Sequence, residues 1–331
     1  MKEAKYWHVK GDVVRCELCP HRCLIPRAKS GICGVRQNVQ GKLMALTYGM
    51  VSSMHVDPME KKPFYHFKPG QTVLSFGSVG CNLGCLHCQN YSISQAAPDS
   101  PFLNRIEPED VPRMVREAGC NGISWTYNEP TMWIEFASDA SKLCKKEGMF
   151  TNFVSNGYIQ EAPLCELKGV IDAMNIDVKG FTDDFYKKVC KARLQPVLDT
   201  VRVAAELGMH VELTYLVIPT KNDGEEEIGR FCRWVAEIDD EMPVHFSRFH
   251  PDYKLMDLPT TPTKTMETAH RLAKESGLKF VYVGNMRSDA ESTFCPDCGS
   301  LVIRRSWFDV EMMNYHHGRC GKCGRDLHMV P

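Results

Sequence analysis

Three cysteines stand close together in "GSVGCNLGCLHCQNYS", residues 77–92: Cys81, Cys85 and Cys88, spaced C-x3-C-x2-C. Thiolates at such short intervals hold iron or zinc. A cubane of four irons and four sulfides needs one ligand per iron, so three thiolates close three corners and leave the fourth iron facing outward. The other reading is a three-ligand zinc completed by water. Catalytic zinc normally includes a histidine or a carboxylate, and an extended loop would turn His87 away from its neighbouring ligand. Bare reduced thiols packed into one loop would oxidise readily. The pattern favours an iron–sulfur cluster with one open corner.

Two further groups of cysteines flank the triplet. "CPDC" and "CGKC", with Cys295, Cys298, Cys320 and Cys323, bracket 21 residues near the C-terminus. Paired C-x2-C knuckles at this separation signal a tetrahedral site for zinc or a single rubredoxin-type iron. Gly299, Gly321 and Gly324 suit the knuckle turns. So short a segment buries little core, and the metal would supply its folding energy. Near the N-terminus, Cys16, Cys19, Cys23 and Cys33 make a third group, read first as a structural zinc site and second as an auxiliary cluster. His21 is an alternative ligand there. The remaining cysteines, Cys120, Cys144, Cys165, Cys190 and Cys232, stand singly and are expected to be small buried apolar residues.

The chain has 331 residues, is 43% hydrophobic and 24% charged, and carries a net charge of -1. That balance gives no basic footprint for a dedicated nucleic-acid binder. "MEKKPFYHFKP", which mixes lysines with aromatics, is accordingly expected to pack rather than to contact nucleic acid. Sixteen cysteines in a chain of this size do not suit the disulfide framework of a short secreted domain. No apolar run approaches the roughly 20 residues that span a bilayer, and the first residues lack the apolar stretch of a secretory signal. The expected location is the cytoplasm.

The elements that must position the triplet are legible as alternation. Strand candidates are 72–77, 122–128, 150–156, 173–179, 210–219, 243–249 and 279–284, with helix candidates over 107–119, 131–148 and 263–277. Strand and helix in turn imply parallel pairing by right-handed crossovers. Polar residues recur where these strands end: Asn128 and Glu129, Ser155 and Asn156, Asp177 and Lys179, His250. βα barrels keep their chemistry at that end. The expected fold is therefore α/β, a partial (βα)6 TIM-type barrel over 72–290. A Cys-rich extension over 1–71 precedes it, and a zinc-ribbon or rubredoxin-like module over 291–331 follows.

C-x3-C-x2-C after the first strand of a βα barrel resembles the signature of radical S-adenosylmethionine (SAM) enzymes. The resemblance implies a [4Fe–4S] cluster on Cys81, Cys85 and Cys88. Its open iron would be chelated by the amino and carboxylate groups of SAM, and reductive cleavage would yield methionine and a 5′-deoxyadenosyl radical that abstracts hydrogen from substrate. "TYNEP" resembles the segment in which a carboxylate, here Glu129, holds the SAM ammonium group. "VSNG" is similar to the segment that places Asn156 near SAM. "NIDVKG" resembles the Asp-x-Lys of glycyl-radical-enzyme activases, which implies Asp177 on the ribose or amine and Lys179 on the SAM carboxylate.

"VIP" and "FHPDYK" have activase counterparts too. Thr214 and Thr220 depart from the pattern, standing where an arginine and a glycine are expected. "CELCPHRCLIPRAKSGICGVRQN", "DPMEKKPFYHFKPG" and "GCNLGCLHCQNYSISQ", in that order, resemble the AmmeMemoRadiSam-system radical SAM enzymes, similar in their core to pyruvate formate-lyase activating enzyme, over about residues 14–290.

That resemblance implies a low-potential electron donor, ferredoxin or flavodoxin, and a functional link to Memo-like and AMMECR-like proteins. The substrate is open, a glycyl position of a protein among the candidates. The alternative function is a non-catalytic iron–sulfur electron-transfer protein.

Overall fold

The apolar runs pair in the order in which the chain makes them. The computed structural model describes residues 1–331. Its main sheet is built from β1 (Ser53–Pro58), β2 (Thr72–Gly77), β3 (Gly122–Trp125), β4 (Phe150–Ser155), β5 (Ala173–Asp177), β6 (His210–Val217), β7 (Val244–Arg248) and β8 (Val281–Gly284). The spatial order runs unbroken from β8 to β1. β2 to β8 are parallel, and only β1 runs antiparallel to its neighbour.

The helices α1 (Val111–Glu117), α2 (Ile134–Lys146), α3 (Gln195–Glu206), α4 (Glu225–Ile238) and α5 (Thr263–Glu275) fill the crossovers. Parallel strands covered in this way read as continuous apolar runs, and all of β3 is buried. A doubly wound sheet reverses its strand order at a switch point; this one never does.

The fold is thus α/β, with a mixed, mostly parallel sheet. Several strands end sooner than expected: at Trp125, Ser155, Asp177 and Val217. Asn128, Glu129, Asn156 and Lys179 therefore lie in the turns just beyond, where the backbone is free to aim them. The sheet also takes in Ser53–Pro58, from the stretch read as N-terminal extension, which pairs with β2 along its whole length. No helix is long and apolar enough to cross a membrane.

Residues 59–68 bind the sheet to the C-terminal segment. Phe64, Tyr65, His66 and Phe67 are buried, which makes this stretch a packing element. Being irregular, it has backbone amides without ladder partners, and Glu212 on β6 satisfies them. Its carboxylate accepts from the amides of Tyr65 (2.9 Å), His66 (2.8 Å) and Phe67 (3.1 Å), and lies 3.0 Å from His210 Nε2 and 2.7 Å from His245 Nε2. Arg305 joins the C-terminal hairpins to the same stretch, donating to the Tyr65 carbonyl at 2.8 Å and pairing with the buried Glu60 at 3.4 Å.

Burial alone would push the Glu212 carboxyl up, yet the hydrogen bonds with His210 and His245 hold it well below its ordinary value. A depressed folded pKa gives stability that is present above the unfolded value of about 4.3 and is lost as pH falls through the folded one. Glu212→Gln should therefore cost about 1.5–3 kcal/mol at pH 7, the range for hydrogen bonds to a charged group. In denaturant titrations the gap from the parent should close as pH falls below about 4.

Candidate functional site

β2 ends at Gly77 and the chain turns into the loop that carries the cysteine triplet. The loop is tied down from several directions. Asn128 brackets its start, accepting from the Ser78 amide at 3.0 Å and donating to the Gly80 carbonyl at 2.9 Å. The amides of Gly84 and Leu86 donate to the carbonyls of Cys190 and Val189, at 2.9 and 3.0 Å. Those carbonyls belong to a single π-helical turn, Tyr186–Cys190. Gly80, at φ +86°, permits a close approach: a Cβ there would come within 2.5 Å of Val35 and 2.8 Å of the Cys33 carbonyl.

Each sulfur of the triplet has its own polar neighbour. Cys81 Sγ accepts from the Leu83 amide at 3.4 Å and from Asn156 Nδ2 at 3.6 Å, and Cys88 Sγ lies 3.3 Å from Ser94 Oγ. A hydrogen bond with the buried Cys190 thiol, opposing the effect of burial, holds Cys85 below its ordinary pKa. Donors around sulfur are what a thiolate-bound cluster needs in its surroundings. Cys190, expected to be an inert apolar residue, is buried as expected but also serves the triplet. Cys165 is a correction: it ends a short helix and is exposed.

Cys81, Cys85, Cys88, Glu129, Asn156, Asp177 and Lys179 all line one cavity of about 600 Å³. Glu129 is buried and accepts from Thr131 N (3.0 Å), Thr131 Oγ1 (2.6 Å) and Ser155 Oγ (2.8 Å) on one oxygen, and from Asn156 N (2.8 Å) on the other. Burial pushes its carboxyl above the ordinary value, against these donors. Lys179 Nζ lies 2.9 Å from Asp177 Oδ2. Burial opposes the lysine's charge, but Asp177 outweighs it and holds Lys179 well above its ordinary pKa.

His87 lines the cavity rather than turning away, because the loop is a series of turns and not extended. Burial and the nearby Lys179 push its ring down to about 3, so it is neutral. Thr214, in the arginine position, also faces the cavity. Thr220 has φ +63°, a left-handed conformation that accounts for the glycine expected there.

Sequence reasoning missed Lys62. It is buried in the cavity wall, 2.6 Å from Asp57 and 4.3 Å from the centre of the Tyr127 ring, and burial pushes it down to about 8. Tyr127, at φ +72°, donates its hydroxyl to the same Asp57. Lys62 sits in a stretch whose aromatics read only as packing, and nothing in its spacing marks it. Trp307 and Phe308 of the C-terminal segment also reach the cavity, each 45% exposed.

Residues 76–232 match the Radical SAM superfamily. The chain is 45% identical over 335 residues to an uncharacterized protein of Methanocaldococcus jannaschii, with 100% of both chains covered. The chain belongs to the radical SAM superfamily. It is 24% identical over 233 residues to the pyruvate formate-lyase 1-activating enzyme of Escherichia coli K12, covering 65% of this chain and 93% of that one. A radical SAM methyltransferase from Sphaerobacter thermophilus shares the fold, with a TM-score of 0.50 at 14% identity over 66% of this chain and 67% of that one. The protein is a radical SAM enzyme, and membership implies a [4Fe–4S] cluster and SAM.

In this radical SAM enzyme the other two cysteine groups differ from each other. The C-terminal four are drawn together, with Cys295 and Cys323 sulfurs 3.5 Å apart, Cys298 and Cys320 sulfurs 3.7 Å apart, and all four within 4.8 Å. A tetrahedron with metal–sulfur bonds of about 2.3 Å puts its sulfurs about 3.8 Å apart, so these residues fit a single metal ion. Burial pushes Cys320 up, but Ser300 and the amides of Cys323 and Lys322 outweigh it and hold the thiol down to about 6. The N-terminal four instead line a small cavity with Leu18, Ile25 and Met132. Cys320→Ala should release one metal ion per chain, measured by mass spectrometry of the eluted metal, and expose residues 293–331 to limited proteolysis.

Proposed function

We propose that this enzyme is of the AmmeMemoRadiSam type and uses SAM at Cys81, Cys85 and Cys88 to abstract hydrogen from a substrate entering the 600 Å³ cavity. The observation that carries this reading is convergence: seven residues chosen for their chemistry, from the ends of β2, β3, β4 and β5, face one space. The bound cluster and SAM would supply a 5′-deoxyadenosyl radical by one-electron reduction of the sulfonium.

The chain's own residues place and hold the cofactors. The three thiolates would take three irons, and the donors from Leu83, Asn156, Ser94 and Cys190 steady their charge. Glu129, anchored to Thr131, Ser155 and Asn156, offers its less occupied oxygen to the SAM ammonium group. Lys179, kept cationic by Asp177, takes the SAM carboxylate, and Asp177 the ribose or amine. Asn156 bridges the Cys81 sulfur and the Asn82 side chain, fixing the wall beside SAM.

The sequential parallel strands support a partial (βα)6-type barrel over 72–290, to which the extension over 1–71 lends β1. The sulfur spacing supports a zinc-ribbon or rubredoxin-like module over 291–331. That module's Trp307 and Phe308 stand where a substrate would enter, and a glycyl position on a partner protein is the substrate we favour. Ferredoxin or flavodoxin would be the donor, and Memo-like and AMMECR-like proteins the functional partners.

Anaerobic reconstitution followed by dithionite and SAM tests the reading. We expect 5′-deoxyadenosine and methionine from the parent and neither from Cys85→Ala. Lys179→Met should weaken SAM binding about tenfold or more, the loss of roughly 1.4 kcal/mol or more from a charge contact. Iron-loaded parent protein that makes no 5′-deoxyadenosine would favour the electron-transfer alternative instead.

A further inference from the structure

We infer that Cys16, Cys19, Cys23 and Cys33 hold a second iron–sulfur cubane, set against the loop of the first. The molecule contains its own standard of comparison. The C-terminal cysteines are closed around a point, as a single ion demands, and they form the one group of three or more ligand atoms all within 4.8 Å of one another. The N-terminal four do not gather in that way. They surround a cavity whose wall is completed by Leu18, Ile25, Ile32 and Met132. A single zinc would leave such a space unfilled, whereas a cubane with one thiolate per iron takes four separated corners and apolar walls.

Charge points the same way. Four thiolates on such a cluster leave a net negative charge, and Arg36 lines this cavity while only 1% exposed. Its Nη atoms are committed to Glu135, at 2.9 and 3.1 Å, and to the Lys5 carbonyl at 2.6 Å. Its buried Nε–H has no oxygen or nitrogen partner. An unmet buried donor is costly, and a cluster thiolate would satisfy it. His21 is not free to be a ligand through Nε2, which lies 2.7 Å from the Asn82 carbonyl.

The same contact fixes the position of the site. Asn82 walls this cavity, and its neighbour Cys81 lines the SAM cavity. The Cys33 carbonyl packs where a Gly80 Cβ would be. Cys23 and Cys33 are half-buried, and their chain neighbours Leu24 and Ile32 are exposed. A low-potential one-electron donor would lose one electron to this cluster, which would be reoxidised as it passes that electron to the cluster on Cys81, Cys85 and Cys88. The metal site stands without the SAM chemistry; only its role as a relay rests on it.

Iron and sulfide counting with Mössbauer spectroscopy on the reconstituted full chain tests the inference. The parent should hold about eight irons in cubanes, and Cys81→Ala/Cys85→Ala/Cys88→Ala and Cys16→Ala/Cys19→Ala about four each. The triplet variant's remaining cluster should show no change in its reduced electron paramagnetic resonance signal when SAM is added. Where a variant does not fold, the parent's count and spectrum decide. A parent with about four irons in cubanes, or a triplet variant holding zinc in place of iron, overturns the proposal. A SAM-insensitive parent that still holds about eight irons leaves the site standing and removes only the relay.

Discussion

Three thiolates held apart are the constraint on which the rest of this molecule depends. Left to themselves, neighbouring cysteines close on one ion or on each other. Here Cys81 accepts from a backbone amide and Asn156, Cys88 lies beside the Ser94 hydroxyl, and the Cys190 thiol holds Cys85 below its ordinary pKa. The π-helical turn at Tyr186–Cys190 supplies both the carbonyls that peg the loop and the thiol behind Cys85. Such turns are uncommon and recur at functional sites.

The parallel sheet makes this arrangement usable. Because every strand from β2 to β8 points the same way and sits beside its predecessor, polar residues far apart in sequence leave the sheet at one end. Glu129 then acts as a hub, joining the turn after β3 to the end of β4 through Thr131, Ser155 and Asn156. On the other side, Glu212 holds the irregular stretch over Tyr65–Phe67, which in turn carries Arg305 and the C-terminal segment. One buried carboxylate serves the cavity wall and another serves the scaffold.

Much of this was legible because the informative signals are local. Cysteine spacing survives any fold, and apolar runs broken by Gly and acidic residues mark strands and helices directly. What escaped is set by tertiary contact. Lys62 matters through Asp57 and Tyr127, the latter far along the chain, and Cys190 through Cys85. Cys165 gave no sign that its helix end would be exposed. β1 is an edge strand whose alternation is inverted, with Met54 and Val56 exposed and Asp57 buried, and only its pairing with β2 identifies it. Thr220 shows the reverse case, where the backbone keeps a glycine's conformation after the glycine is gone.

In the proposed mechanism the unfilled corner of the cluster binds SAM itself. Electron–nuclear double resonance on the reduced, oxygen-free protein, with SAM carrying ¹⁷O in its carboxylate or ¹⁵N in its amino group, addresses this directly. Hyperfine coupling of either label to the cluster held by Cys81, Cys85 and Cys88 is the predicted result. A reduced cluster with SAM bound and neither label coupled would contradict it.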